Sequence, residues 1–139
     1  MKKLVVVFVL SFVGLVSRAQ DASGVTVTII IENVLSDGGT ILGGLHTADT
    51  FMKGQGIANA MTPGSKGEAT LTFENVTPGD YAVMVMHDVN DNKQMDREAN
   101  GMPTESYANT GTMELYGPPT FDGSKFEVTD ENMEFRLRF

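Results

Sequence analysis

Apolar and polar residues alternate with a period of two in several short runs, and each run predicts a half-buried β-strand. In residues 25–31 the apolar side chains at odd positions share one face, and the threonines take the other. The same alternation recurs in residues 69–73, 81–87 and 133–139. No window of about twelve residues shows the 3.6-residue period of an amphipathic helix. The pattern therefore predicts a chain built almost entirely of strands.

Turn sequences rich in glycine, proline and aspartate separate these runs. Residues 36–39 read Ser-Asp-Gly-Gly, and the Asp-Gly pair predicts a hairpin between the first strand and residues 40–45. Residues 50–67 hold four glycines, one proline and few bulky side chains. We expect a long excursion there, as a flexible lid or a short helical turn.

Six to seven short strands in about 115 residues predict an all-β fold, an antiparallel β-sandwich of about seven strands. The Pro-Gly-Asp-Tyr turn that ends at Tyr81 is similar to turns in the immunoglobulin-like and transthyretin-like modules of secreted bacterial proteins. This similarity concerns the fold and assigns no function.

The N-terminus has the organisation of a signal peptide. Lys2 and Lys3 precede an apolar run over residues 4–16, and small residues at the −3 and −1 positions predict cleavage after Ala19. A transmembrane anchor is the alternative, but about 13 apolar residues fall short of the roughly 20 that span a bilayer. We therefore expect residues 1–19 to be removed and the protein to be periplasmic or secreted.

Cleavage leaves one domain, residues 20–139, with a strongly acidic charge. The signal carries three of the ten basic residues and none of the 18 acidic ones, so seven basic residues remain and the formal charge is −11. Such a field repels nucleic acid and anionic lipid, and we expect neither as a partner. No membrane span remains after cleavage. Because the chain has no cysteine, the core must hold the fold without a disulfide.

An Asp/Asn-rich loop at residues 88–96 carries the best candidate chemistry. Its oxygen-bearing side chains fall at positions 1, 3, 5 and 9 of a calcium loop, and position 7 offers a backbone carbonyl. Alternate side chains of a curled loop point inward, so that hard oxygens converge on one cation. The candidate calcium ligands are Asp88, Asn90, Asn92, Gln94, Asp96 and Glu98.

Two positions depart from the calcium pattern. Lys93 stands at position 6, which is usually glycine, and Ala99 stands at position 12, which usually supplies a bidentate glutamate. Both predict weak affinity, on the order of 10⁻⁴–10⁻³ M. The alternative is a polar turn whose Asp and Asn side chains cap their own backbone. The sequence leaves both alternatives open.

The loop and its neighbours resemble a known bacterial family. The resemblance rests on residues 73–83, on the His-Asp-x-Asn-x-Asn motif that starts at His87, and on the Gly-x-Pro-x-Glu-x-Tyr run that ends at Tyr107. These segments are similar to the family known as domain of unknown function 2141, over about residues 25–139. The resemblance implies a secreted or periplasmic β-sandwich and no established activity.

The sequence offers no catalytic set, and we expect a protein that is not an enzyme. It has no cysteine nucleophile, no Gly-x-Ser-x-Gly elbow and no His-Glu-x-x-His helix. His87 beside Asp88 is the one candidate general base. Because His87 shares a strand face with Val83 and Val85, we interpret it as a structural residue that is hydrogen-bonded to the following loop.

A non-catalytic binding or structural module is the function that these patterns favour. Loops at one end of a sandwich commonly carry recognition. The candidate surface for an envelope or extracellular protein or glycan consists of His87, Met102, Pro103, Glu105, Tyr107 and Tyr116. The alternatives are an accessory subunit of an envelope assembly, through exposed edge strands, and a hydrolase that uses His87 and the acidic loop. Calcium is the only candidate cofactor.

Overall fold

The alternating runs of the sequence fold into β-strands that the structure, a computed structural model, describes over residues 24–112 and 116–139. The strands and the single short helix of these residues are β1 (Val25–Val34), β2 (Thr40–His46), β3 (Ala58–Pro63), β4 (Gly67–Val76), β5 (Gly79–Asp88), β6 (Tyr107–Asn109), α1 (Phe121–Ser124), β7 (Phe126–Val128) and β8 (Met133–Arg138). The predicted signal peptide and its cleavage site lie outside the described residues. Within those residues, no helix has the length and apolar character needed to cross a membrane.

Two sheets pack face to face. One has three strands, with β1 between β4 and β8. The other has five strands: β3, β2 and β5 lie side by side, and β6 and β7 pair with different segments of β5. The predicted all-β sandwich is confirmed, but the described residues contain eight strands where about seven were expected.

The pairing of β1 with β8 is parallel, which is an exception to the antiparallel pairing expected of the sandwich. Val27 lies opposite Met133, and Ile31 lies opposite Leu137. A parallel pair needs a long connection between its strands. β1 and β8 are the first and last strands of the domain, so the whole intervening chain serves as that connection.

The core lies between the two sheets and contains the apolar residues that the alternation placed on one face of each strand. Ile29 and Ile31 of β1 are fully buried, as are Ile41 of β2 and Val83 of β5. Leu71 of β4 is 1% exposed, which confirms its predicted inward position. Burial of such aliphatic side chains stabilises the fold by about 1.5–3 kcal/mol each.

The turn at residues 36–39 does not form the predicted hairpin. The strands on either side of it, β1 and β2, belong to different sheets, so the turn carries the chain across the sandwich. Gly38 and Gly39 have φ values of 88° and 64°, which are the left-handed values that the Asp-Gly signal indicates. The local turn was predicted correctly, and the pairing of its strands was not.

Residues 50–67 contain a strand that the sequence pattern did not predict. β3 pairs with β2, with Met61 opposite Leu42 and Ala60 opposite Gly43. Apart from the exposed Met61, its side chains are small or polar, and none is fully buried, so they give no clear apolar alternation. Pairing with β2, rather than an apolar face of its own, holds this strand in place.

Candidate functional site

The acidic loop follows β5 and begins at Asp88, whose side chain is 1% exposed. Its Oδ1 accepts a hydrogen bond from the backbone N–H of Asn92 at 3.1 Å, and its Oδ2 accepts one from the backbone N–H of Lys93 at 2.7 Å. An aspartate that accepts backbone N–H groups a few residues ahead bends the chain back toward itself. Asp88 therefore sets the curl of the loop.

The side chains of Asn90, Asn92 and Asp96 meet within the loop. The carboxylate of Asp96 accepts hydrogen bonds from Nδ2 of Asn90 at 2.6 Å and from Nδ2 of Asn92 at 2.8 Å. The amide oxygen of Asn90 accepts a hydrogen bond from the backbone N–H of Asn92 at 3.2 Å. The amide oxygen of Asn92 accepts one from the backbone N–H of Gln94 at 2.9 Å. The loop thus satisfies its polar groups internally, which is the arrangement of a capped polar turn.

Lys93 occupies the position that the calcium pattern gives to glycine, and it adopts the glycine conformation. Its φ is 61°, in the left-handed region, and that of Asp91 is 57°. The sharp turn therefore forms without a glycine. The loop is also fastened to the neighbouring strand, because Oγ1 of Thr40 donates a hydrogen bond to Oδ1 of Asp91 at 2.6 Å.

The structure brings four of the six candidate calcium ligands into one loop network: Asp88, Asn90, Asn92 and Asp96. Gln94 and Glu98 lie on the exposed part of the loop. Over the described ranges, no three His, Asp or Glu side chains are grouped closely enough to hold a metal ion. Calcium binding by the amide and carboxylate oxygens stays a prediction. Calorimetry at millimolar calcium tests it, and absence of both heat and a melting shift would contradict it.

Glu105 holds the two ends of the acidic loop together. Its side chain is 9% exposed. Oε1 accepts a hydrogen bond from the backbone N–H of Val89 at 3.1 Å, and Oε2 accepts one from that of Asp96 at 3.3 Å. Glu105, which the sequence predicts as part of a ligand surface, is thus buried and accepts hydrogen bonds from both ends of the loop.

His87 lies on the core side of β5 and is 2% exposed. Its Nε2 donates a hydrogen bond to the carbonyl of Gly38 at 2.8 Å, and its ring stacks on Phe139 with centroids 6.5 Å apart. The structural interpretation of this residue agrees with these contacts. Its partner, however, is the turn between β1 and β2 rather than the acidic loop.

The structure places the six residues of the predicted ligand surface in different surroundings. Pro103 and Tyr107 line a shared groove, whereas Met102 and Tyr116 do not. Met102 is 61% exposed and Tyr116 is 93% exposed. The remaining two predicted residues, His87 and Glu105, are buried.

That groove has a volume of about 820 Å³ and crosses the outer face of the five-stranded sheet. The strand registers place one row of apolar residues across its floor, in the order Met61, Leu42, Met86 and Tyr107. The next row contains Met84 opposite Gly44. An outward face of a sandwich is normally polar, so a continuous apolar row marks this face as distinct.

Loops form the walls of the groove. The residues after β2 contribute Met52, the acidic loop contributes Met95, and residues 117–119 contribute a Gly-Pro-Pro segment. Charged residues lie at the end formed by the acidic loop, two of each sign: Asp88, Asp91, Lys93 and Arg97. Their formal charges sum to zero.

The sequence held a signal for this groove. The strand at residues 81–87 alternates valines with Ala82, Met84 and Met86, so both of its faces are apolar. A strand with two apolar faces needs cover on both sides, yet only one face packs on the core. The second face was not assigned a role in the sequence interpretation.

His46 lies at the other end of the groove and was not among the predicted site residues. It is 4% exposed, and its ring meets Phe51 edge to face with centroids 6.0 Å apart. Nδ1 lies 3.2 Å from the carbonyl oxygen of Thr50. Because a carbonyl only accepts, Nδ1 carries the proton and Nε2 keeps its lone pair. Burial lowers the pKa of His46 below 6.5, against a smaller opposing effect of the Thr50 hydrogen bond.

The fold is an all-β sandwich with a groove on the outer face of one sheet, and sequence comparison gives the family. The model of the family described as uncharacterized protein conserved in bacteria (DUF2141) matches residues 29–136. The chain belongs to this bacterial family, which confirms the resemblance. No curated protein and no solved structure matches the chain.

Proposed function

We propose that this protein is an exported, non-catalytic binding domain that takes a small, neutral, largely apolar ligand in the groove of its five-stranded sheet. The observation that carries the proposal is the row Met61, Leu42, Met86 and Tyr107, which places apolar side chains on an outward face. Met61 is 68% exposed and Tyr107 is 38% exposed. Exposed apolar surface of this kind is typical of binding sites.

The other sheet provides an internal comparison. Its outward face carries charged and hydroxyl side chains, and Arg136 forms ion pairs with Glu32 at 2.8 Å and Glu68 at 3.4 Å. The one large aliphatic residue of β1 on that face, Ile30, is 9% exposed. One sequence thus gives one outward face suited to water and one suited to an apolar ligand. Solubility alone does not explain this difference.

The size and the lining of the groove favour a small molecule. Ligand pockets usually measure about 300–1,000 Å³ and combine an apolar lining with a few polar groups. Methionine side chains are flexible and polarisable, so they adapt to ligands of different shape. The four charged lining residues at the acidic-loop end carry two charges of each sign, which favours a neutral ligand over an ionic one. The buried, hydrogen-bonded state of His87 supports a function without catalysis.

A neutral fluorescent probe, 1-N-phenylnaphthylamine, tests this proposal on the purified mature protein. We expect saturable binding of one probe molecule per chain. The variant Met86→Gln keeps the side-chain length but puts an amide on the groove floor, and we expect it to weaken binding about tenfold. Met102→Gln makes the same chemical change outside the groove and serves as the control. Absence of saturable binding, or equal loss in both variants, would contradict the proposal.

A further inference from the structure

The imidazole of His46 presents an unprotonated nitrogen to the groove. Nδ1 donates to the carbonyl of Thr50, which fixes the tautomer and leaves the lone pair on Nε2. Histidines that bind metals commonly donate their other ring N–H to a carbonyl in this way, since that bond orients the ring. The ring is further held by Phe51, which is 6% exposed. His46 is therefore oriented as a ligand before any ion binds.

Gly44 makes room for this nitrogen on the sheet surface. A Cβ atom at Gly44 would lie 2.6 Å from Nε2 of His46, closer than real side-chain atoms approach. The imidazole thus occupies the space that a side chain would fill at residue 44. Both residues line the groove. Nε2 consequently lies over the groove floor.

Two thioether groups line the groove together with His46. Met84 lies directly opposite Gly44, and the Cβ atoms of such cross-strand pairs are about 4.5–5.5 Å apart. Its sulfur lies two bonds beyond Cβ, a length that allows it to reach toward Nε2, which lies over Gly44. Met52 also lines the groove, six residues after His46. Its backbone φ of 59° is left-handed, a strained conformation for a residue other than glycine.

We propose that Nε2 of His46 and the thioether sulfurs of Met84 and Met52 bind one soft monovalent cation, copper(I) or silver(I). Thioether ligands select copper(I) over hard cations, and imidazole is compatible with it. Calcium prefers oxygen ligands and zinc prefers imidazole, thiolate or carboxylate ligands, so neither matches a set of one imidazole and two thioethers. This site goes beyond the proposed apolar ligand and does not depend on it.

The groove concentrates methionine. Five of its lining residues are methionines, namely Met52, Met61, Met84, Met86 and Met95. A chain without cysteine has thioethers as its only soft sulfur donors.

Silver(I) is the probe of choice, because it binds the same ligands as copper(I) and is stable in air. The mature protein, labelled with carbon-13 at the methionine methyl groups, is titrated with silver(I) in a chloride-free buffer. We expect one equivalent to shift the methyl signals of Met84 and Met52, while that of Met133 in the other sheet stays in place. Competition with zinc(II) should leave these shifted signals unchanged.

Two substitutions give the quantitative test. Met84→Leu keeps the apolar volume but removes the sulfur, and we expect it to weaken silver binding at least about tenfold. His46→Gln should do the same, whereas the control Met133→Leu should bind as the parent does. If His46→Gln fails to fold, Met84→Leu decides the matter alone. Unchanged affinity in Met84→Leu, or silver shifts confined to exposed Met102, would overturn the proposal. If silver does not bind at this site, the mature protein should still bind the apolar probe, so the two proposals can be told apart.

Discussion

The backbone of Gly39 packs against the carbonyl oxygen of Asp88, so the turn between the two sheets touches the start of the acidic loop. A Cβ atom at Gly39 would overlap that oxygen and the backbone of Val89. The neighbouring Gly38 also has a left-handed φ, but a Cβ atom there would meet nothing within 4 Å. Gly38 therefore requires glycine for its backbone conformation alone, whereas Gly39 requires it for both the conformation and the close contact.

Substitution of these glycines measures that contact. We expect Gly38→Ala to lower the free energy of unfolding by about 1 kcal/mol, because alanine tolerates the left-handed conformation poorly. Gly39→Ala has the same conformational penalty and a clash with backbone, so we expect a loss of about 3 kcal/mol or more. Urea unfolding of both variants checks this, and equal losses would show that Gly39 and Asp88 are not in tight contact.

Glu105 offers a test of how the acidic loop is held. Glu105→Gln keeps one acceptor oxygen and places an amide NH₂ against a backbone N–H group of Val89 or Asp96. We expect the free energy of unfolding to fall by about 1–3 kcal/mol, because a buried donor loses its partner. Glu98→Gln removes one charge from the exposed side of the same loop and should change stability by less than about 0.5 kcal/mol. Thermal melting of the two variants gives the comparison.

His46 gives the protein a pH dependence with a definite sign. Burial places its folded-state pKa below the unfolded value of 6.5, so the unfolded chain binds more protons once the pH falls through this range. The stability contributed by neutral His46 is complete above pH 6.5 and is lost as the pH falls toward the folded-state pKa. We expect urea unfolding between pH 7.5 and 5 to show a steeper loss in the parent than in His46→Gln. Parallel curves would contradict this, since His87 is present in both proteins.

The period-two alternation was sufficient to predict the fold class and the inward face of each main strand. Val27, Ile29 and Leu71 are buried as that pattern requires. The strand with which each strand pairs was not predictable in the same way. The Asp-Gly turn specifies a local reversal of the chain but not the sheet that the next strand joins. β3 was missed since its stability comes from pairing with β2 and not from its own side chains.

The candidate site was predicted less completely than the fold. Spacing correctly gathered Asp88, Asn90, Asn92 and Asp96 into one loop, because contacts within a loop are local. The groove needs residues from four strands to align across the sheet, and only the registers reveal that Leu42 lies beside Met86. His46 depends on a packing contact with Gly44 that no motif encodes.

The central claim, that the outward face of the five-stranded sheet is the binding site, is tested most directly by methyl spectra of the mature protein. The sample carries carbon-13 at its methionine methyl groups and is titrated with 1-N-phenylnaphthylamine. We expect the signals of Met84 and Met86, both of which line the groove, to shift in a saturable way. Met133 in the three-stranded sheet should remain unchanged. Unmoved Met84 and Met86 signals, or shifts centred on Met133, would contradict it.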